Sequence, residues 1–144
     1  MKIRIINGPN LNMLGFRNQD IYGNRTLKDL EELIKSYCLE NNIECDFMQS
    51  NHEGVLIDAI HESFFHNYDG IVINPGALGH YSFALRDALE ILSCPKIEVH
   101  ISNIYERETF RKISVISEVC DGTICGKGFE GYIEAIKLIS KIRK

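Results

Sequence analysis

Short runs of isoleucine and valine alternate with longer amphipathic segments along the whole chain, and no other feature narrows the choice of folds as far. Lys2–Asn7 reads as a first strand. Thr26 with Asp29 three residues later is a helix start, and the helix carries Leu27, Leu30, Leu33, Ile34, Tyr37 and Cys38 on one stripe. Asn41-Asn42 ends it, and Ile43–Gln49 is a second strand. Glu53–Asn67 reads as a helix with Val55, Leu56, Ala59, Ile60, Ser63 and Phe64 facing inward. Gly70–Ile73 is a third strand and Tyr81–Leu92 a third long helix, after which Pro95 turns the chain into a fourth strand, Lys96–Ile101. Ile104–Lys112 reads as a short helix and Val119–Cys125 as a fifth strand. The last helix is Phe129–Ile142, with Tyr132, Ile133, Ile136, Ile139 and Ile142 in register. Strands alternating with helices imply a parallel sheet covered on both faces. Five such units fit a flavodoxin-like three-layer αβα sandwich of strand order 2-1-3-4-5. At 144 residues, with no repeat, linker or low-complexity tract, the chain is expected to form one domain over residues 1–144.

Polar residues gather where these strands end. Ile3–Ile6 runs into Asn7-Gly8-Pro9-Asn10-Leu11-Asn12, and Ile71–Ile73 into Asn74-Pro75-Gly76 and then His80. In the fourth strand Glu98, His100 and Ser102 alternate with Ile97, Val99 and Ile101. Ligands of open parallel sheets bind beyond the carboxyl ends of the strands, so these three ends point to one shared site. Interior strands of such sheets are normally continuous apolar runs, and an unpaired buried carboxylate or imidazole is costly. Glu98 and His100 therefore pair or face a site, unless the strand lies at an edge with one wet face. A contact between them would orient the imidazole and fix its tautomer, as a general acid or base requires. The segment Asn10–Arg25 exceeds the ~2–6 residues usual for such a connection. It is bounded by Gly15 and Gly23 and carries Arg17, Tyr22 and Arg25. Loops of this kind act as lids over ligands; the alternative is a surface loop with a partly packed tyrosine.

A net charge of −4 argues against non-specific nucleic-acid binding, which needs a basic face. No apolar run approaches the ~20 residues needed to span a bilayer, and the first residues enter a strand without a signal-peptide pattern. A cytoplasmic protein with no membrane partner is the expectation. Cys38, Cys45, Cys94, Cys120 and Cys125 are odd in number with no C-x-x-C pair, which fits small buried hydrophobes in a reducing compartment. Gly126-Lys127-Gly128-Phe129-Glu130-Gly131 matches G-x-G-x-x-G. It lies in the last unit, with no following strand to bring a ribose-binding acid, and reads as a tight turn with close helix packing. His52-Glu53 and His61-Glu62 are followed at i+4 by Leu56 and Phe65, so no H-E-x-x-H metal site is expected.

These residues carry a more specific resemblance. Asn7-Gly8-Pro9-Asn10-Leu11-Asn12-Met13-Leu14-Gly15, followed by Arg17 and Tyr22-Gly23, is similar to the N-terminal signature of type II 3-dehydroquinate dehydratases. Gln49–Gly54, Ile73–Ala77 with His80, Ala84–Ala88, Glu98–Asn103 and Arg107-Glu108-x-Phe110-Arg111 resemble further motifs of that family, in order and along the whole chain. The resemblance implies dehydration of 3-dehydroquinate to 3-dehydroshikimate by anti elimination through an enolate, with no cofactor, metal or Schiff-base lysine. It also implies trimers assembling into a dodecamer.

By motif, Tyr22 would remove the C2 proton as a phenolate. Ionising an ordinary tyrosine at neutral pH costs about 4 kcal/mol, which nearby guanidiniums can offset; Arg17 and Arg107 are the candidates. Asn10, through a water, would stabilise the enolate oxygen, and His100, oriented by Glu98, would protonate the departing C1 hydroxyl. Asn74 and the backbone amides of Ile101 and Ser102 would hold the carboxylate. His80 and Arg111 would bind ring hydroxyls, with Asp87 reaching in from a neighbouring subunit. The chain departs from the family pattern at Asn18-Gln19, where Glu-Pro is usual, and at Gly79, where Thr is usual. A flavin or nucleotide binder and a non-catalytic assembly protein are the rival classes. The first would carry bound chromophore, and the second would leave dehydroquinate unchanged.

Overall fold

The structure, a computed structural model, describes residues 1–143. Its five strands are β1 (Lys2–Asn7), β2 (Glu44–Gln49), β3 (Gly70–Asn74), β4 (Lys96–His100) and β5 (Gly122–Cys125). They pair in parallel in the order β2-β1-β3-β4-β5, the expected topology. Helices α2 (Leu27–Glu40) and α5 (Glu130–Ile142) cover one face, packing on Ile3, Ile5, Val72, Ile97 and Val99. On the other face α3 (Glu53–Phe65) and α4 (Phe83–Glu90) pack on Ile6, Ile71 and Ile73. Thr26 and Asp29 form the reciprocal capping box that opens α2, a device worth about 1 kcal/mol.

Several expectations change in detail. Val55 and Phe64, expected inside, are exposed, as is Ile142. The stripe of α3 that meets the sheet is narrower: Leu56, Ala59, Ile60 and Ser63. The segment Gly76–His80 forms a 3₁₀ turn, so α4 begins only at Phe83, capped by the Ser82 hydroxyl. Ile104–Lys112 is two 3₁₀ turns, Ile104–Glu106 and Thr109–Lys112, rather than one helix. A short helix, α1 (Gln19–Tyr22), lies inside the long β1–α2 connection. β5 starts three residues later than expected, because Ser117–Val119 is taken up by another 3₁₀ turn.

β4 is an interior strand between β3 and β5, and all five of its residues are buried. The edge-strand alternative is thereby removed. At the carboxyl ends of β1 and β3 the backbones meet closely. The Gly8 amide donates to the Asn74 carbonyl at 2.8 Å, and a Cβ on Gly8 would stand 2.4 Å from the Pro75 carbonyl oxygen. Only glycine fits there. The G-x-G-x-x-G segment behaves as a turn, with Gly126 and Gly128 at positive φ and Gly131 set beneath Val99 and Ile124.

Candidate active site

A cavity of about 120 Å³ opens beyond the carboxyl ends of β1, β3 and β4. The β1–α2 connection contributes Asn10, Arg17 and Tyr22 to its wall, and the ends of β3 and β4 contribute Asn74, His80, His100, Ile101 and Ser102. Arg107 and Arg111 complete it from the two 3₁₀ turns after β4. The structure thus brings together every residue to which the resemblance gives a role except two, while Arg25 of the same loop lies over Phe129 instead. Glu98 lies directly behind His100, and Asp87 is exposed on α4, away from the cavity.

Glu98 is wholly buried in the sheet and His100 nearly so. The imidazole Nε2 lies 2.6 Å from Glu98 Oε1. An ionised carboxylate can only accept, so Nε2–H donates and Nδ1 is the ring nitrogen not engaged by Glu98. The same Oε1 accepts from the Ser114 hydroxyl at 2.7 Å, and Thr123 reaches Oε2 at 3.4 Å. A buried charge is tolerated only when paired and hydrogen-bonded, and these donors meet that condition.

Tyr22 ends α1, where Gly23 at φ 74° turns the chain away. Its hydroxyl oxygen accepts from Arg107 Nη1 at 2.6 Å, and the same nitrogen donates to Ser102 Oγ at 3.2 Å. The Arg17 guanidinium sits over the Tyr22 ring, 5.0 Å from its centroid. Arg107 is therefore the cation at the oxygen and Arg17 the one at the ring, although they are 90 residues apart in sequence. The unusual Asn18-Gln19 pair anchors this loop. Asn18 takes the left-handed conformation that asparagine tolerates, and Gln19 Nε2 donates to the Gly15 carbonyl at 2.9 Å.

Asn10 also adopts positive φ and is exposed at the cavity mouth, its amide donating to Asn51 Oδ1 at 2.9 Å. Asn74 is held on both sides. Its Oδ1 accepts from the Gly76 amide at 3.1 Å, and its Nδ2 donates to the Tyr132 hydroxyl at 2.9 Å. Tyr132 in turn donates to Asn7 Oδ1 at 2.7 Å. Ser114 and Tyr132 escaped the sequence reading. Ser114 gave no local signal, sixteen residues from its partner. Tyr132 looked like part of the α5 core stripe, yet a buried tyrosine hydroxyl needs a partner, and that was the available clue.

His80 donates from Nδ1 to the Ile113 carbonyl at 2.7 Å and stacks near His100, centroids 6.3 Å apart. Burial holds its pKa below the ordinary 6.5, outweighing the Ile113 hydrogen bond, and the neighbouring His100 and Arg111 push the same way. The unfolded chain therefore binds the proton more readily than the native state. His80's contribution to stability is complete above the ordinary value and fades as pH falls through it and then through the lower native value. The melting temperature should decline as pH falls through the ordinary histidine value of 6.5 and below it, and His80→Gln should flatten that decline. An identical slope in the variant would refute the assignment.

The comparisons with known proteins agree with this geometry. The family model "Dehydroquinase class II" matches residues 1–140. The 3-dehydroquinate dehydratase of Thermotoga neapolitana is 54% identical over 142 residues, covering 99% of this chain and 96% of that one. The crystal structure of type II dehydroquinase from Butyrivibrio crossotus DSM 2876 superposes with a TM-score of 0.96 at 57% identity, covering 97% of each chain. That of Propionibacterium acnes gives 0.92 at 41% identity, covering 96% of each. A cavity at the ends of β1, β3 and β4, walled by the motif residues, and a family match over nearly the whole length lead to one conclusion: the chain belongs to the class II dehydroquinase family.

Proposed function

We propose that this chain dehydrates 3-dehydroquinate to 3-dehydroshikimate, a step of the shikimate pathway, by anti elimination through an enolate. The observation that carries the proposal is the placement of Arg107 Nη1 on the Tyr22 oxygen at 2.6 Å, at the cavity that His100 and its Glu98 partner also line. Two guanidiniums meet this phenol, Arg107 at its oxygen and Arg17 over its ring. Tyr22 as phenolate then takes the C2 proton, and the electron pair moves into the adjacent carbonyl to give the enolate. Asn10 stabilises the enolate oxygen; preorganised donors in such positions are worth several kcal/mol. When the enolate collapses, the C1–O bond breaks and His100 delivers a proton to the departing hydroxyl, which leaves as water.

The substrate carboxylate is held by Asn74 and the amides of Ile101 and Ser102, while His80 and Arg111 take the ring hydroxyls. Asp87, exposed on α4 and outside its own cavity, serves the site of a neighbouring subunit in a dodecamer of trimers. The protein works in the cytoplasm. The test is ultraviolet detection of the conjugated enone formed from 3-dehydroquinate, with a chelator present. Turnover that survives the chelator supports the reading, turnover that the chelator abolishes overturns its metal-free chemistry, and no turnover refutes it.

A further inference from the structure

Tyr132 lies on the opposite side of the sheet layer from the Glu98–His100 pair. It is fully buried among isoleucines of α5 and the sheet. An aliphatic side chain would suit that position better, because a hydroxyl there must be satisfied. Its partners are the end residues of two adjacent strands, Asn7 of β1 and Asn74 of β3, which are paired across the sheet.

The direction of this chain of hydrogen bonds is forced. The Gly76 amide can only donate, so it fixes Asn74 with Oδ1 toward Gly76 and Nδ2 toward Tyr132. Nδ2 can only donate, so the tyrosine oxygen accepts and its proton must go to Asn7 Oδ1. That arrangement leaves Asn7 Nδ2 without a partner, the one such buried side-chain atom among the described residues. Stability alone does not favour a cluster with an orphaned donor. What the cluster achieves is a single orientation for Asn74, whose second Nδ2 hydrogen remains available at the cavity wall.

We infer that Tyr132 is a positioning residue: by holding Nδ2 of Asn74 in place from behind the sheet, it presets the donor that receives the substrate carboxylate. This rests on the proposed function for the identity of the ligand. The carboxylate is borne on C1 but keeps its charge unchanged through the elimination, so the interaction is made nearly equally in ground and transition states and belongs mainly in KM rather than kcat.

Tyr132→Phe, Asn74→Ala and the double variant provide the test, with melting temperatures measured to select folded samples. Tyr132→Phe should raise KM for 3-dehydroquinate about tenfold with kcat within about threefold. It should add nothing further in the Asn74→Ala background, since both changes act through one group. Asn7→Ala removes the acceptor of the tyrosine proton together with the orphaned donor, and should raise KM about threefold if Tyr132→Phe proves unstable. Calorimetric affinity for quinate, a carboxylate that is not turned over, gives a second readout and should weaken in parallel. Full additivity in the double variant, or a KM and quinate affinity unmoved in folded variants, overturns the inference. Absence of turnover in the wild type instead sinks the dehydratase reading, and quinate affinity then still decides whether Tyr132 acts through Asn74.

Discussion

Replacing Tyr22 with phenylalanine lowers kcat by about 10³-fold or more and leaves KM within a few-fold. A positioned general base contributes about 10²–10⁴-fold, and the upper part of that range applies where no neighbour can substitute. Within the cavity wall the other titratable groups are His80, His100 and the arginines. His100 is engaged by Glu98, and His80 donates through Nδ1 to a backbone carbonyl. The variant should fold normally. Tyr22 is only partly buried, and phenylalanine keeps the ring that lies beneath the Arg17 guanidinium. Only the oxygen is lost, together with one hydrogen bond from Arg107, which keeps Ser102 as a partner. Steady-state kinetics and a melting curve measured on the same sample check this. A folded variant with near-normal kcat reassigns the base.

Glu98→Gln is the second large effect: kcat should fall by about 10²–10³-fold, within the range of acid–base and electrostatic contributions. The amide is close in shape and can still accept from Ser114 through its oxygen, so the polar cluster remains satisfied. The carboxylate charge beside His100 Nε2 is lost. An imidazole that must carry a proton to a leaving hydroxyl then lacks its counter-charge, while the amide oxygen still orients the ring. Glu98→Ala is the contrasting variant. It empties a fully buried site and orphans Ser114, so it should also lower stability by about 1–3 kcal/mol. Comparing the two by kcat and by urea midpoint separates charge from packing. Equal kcat in wild type and Glu98→Gln would remove the acid role from this pair.

Much of this was legible in the chain because period and position carry it. The β/α alternation set the strand order, and the polar residues interrupting Ile97-x-Val99-x-Ile101 announced the Glu98–His100 pair before any contact was known. The parts that were not legible depend on partners distant in sequence. Arg107 meets the tyrosine oxygen 85 residues away, and nothing local distinguishes it from Arg17, which stands on the same loop as Tyr22. The inward assignment of Val55 and Phe64 failed for another reason. Helical periodicity gives a stripe's direction but not its width, and a sheet face already filled by Leu56, Ala59 and Ile60 leaves the flanking positions in water. The two 3₁₀ turns within Ile104–Lys112 read as one helix because their apolar spacing is compatible with either.

The placement of the two halves of the site has a consequence for endurance. Glu98 and His100 stand on an interior strand between β3 and β5 with both side chains buried, so they share the lifetime of the whole sheet. Tyr22 sits on a one-turn helix in a long connection, fixed by a few polar contacts. Segments with few buried contacts open at lower free energy than core strands. Under mild urea or rising temperature the proton-abstracting half should therefore loosen while the proton-donating half is still intact. Catalysis would fail at a lower denaturant concentration than circular dichroism registers, and the failure would reverse on dilution without refolding of the sheet.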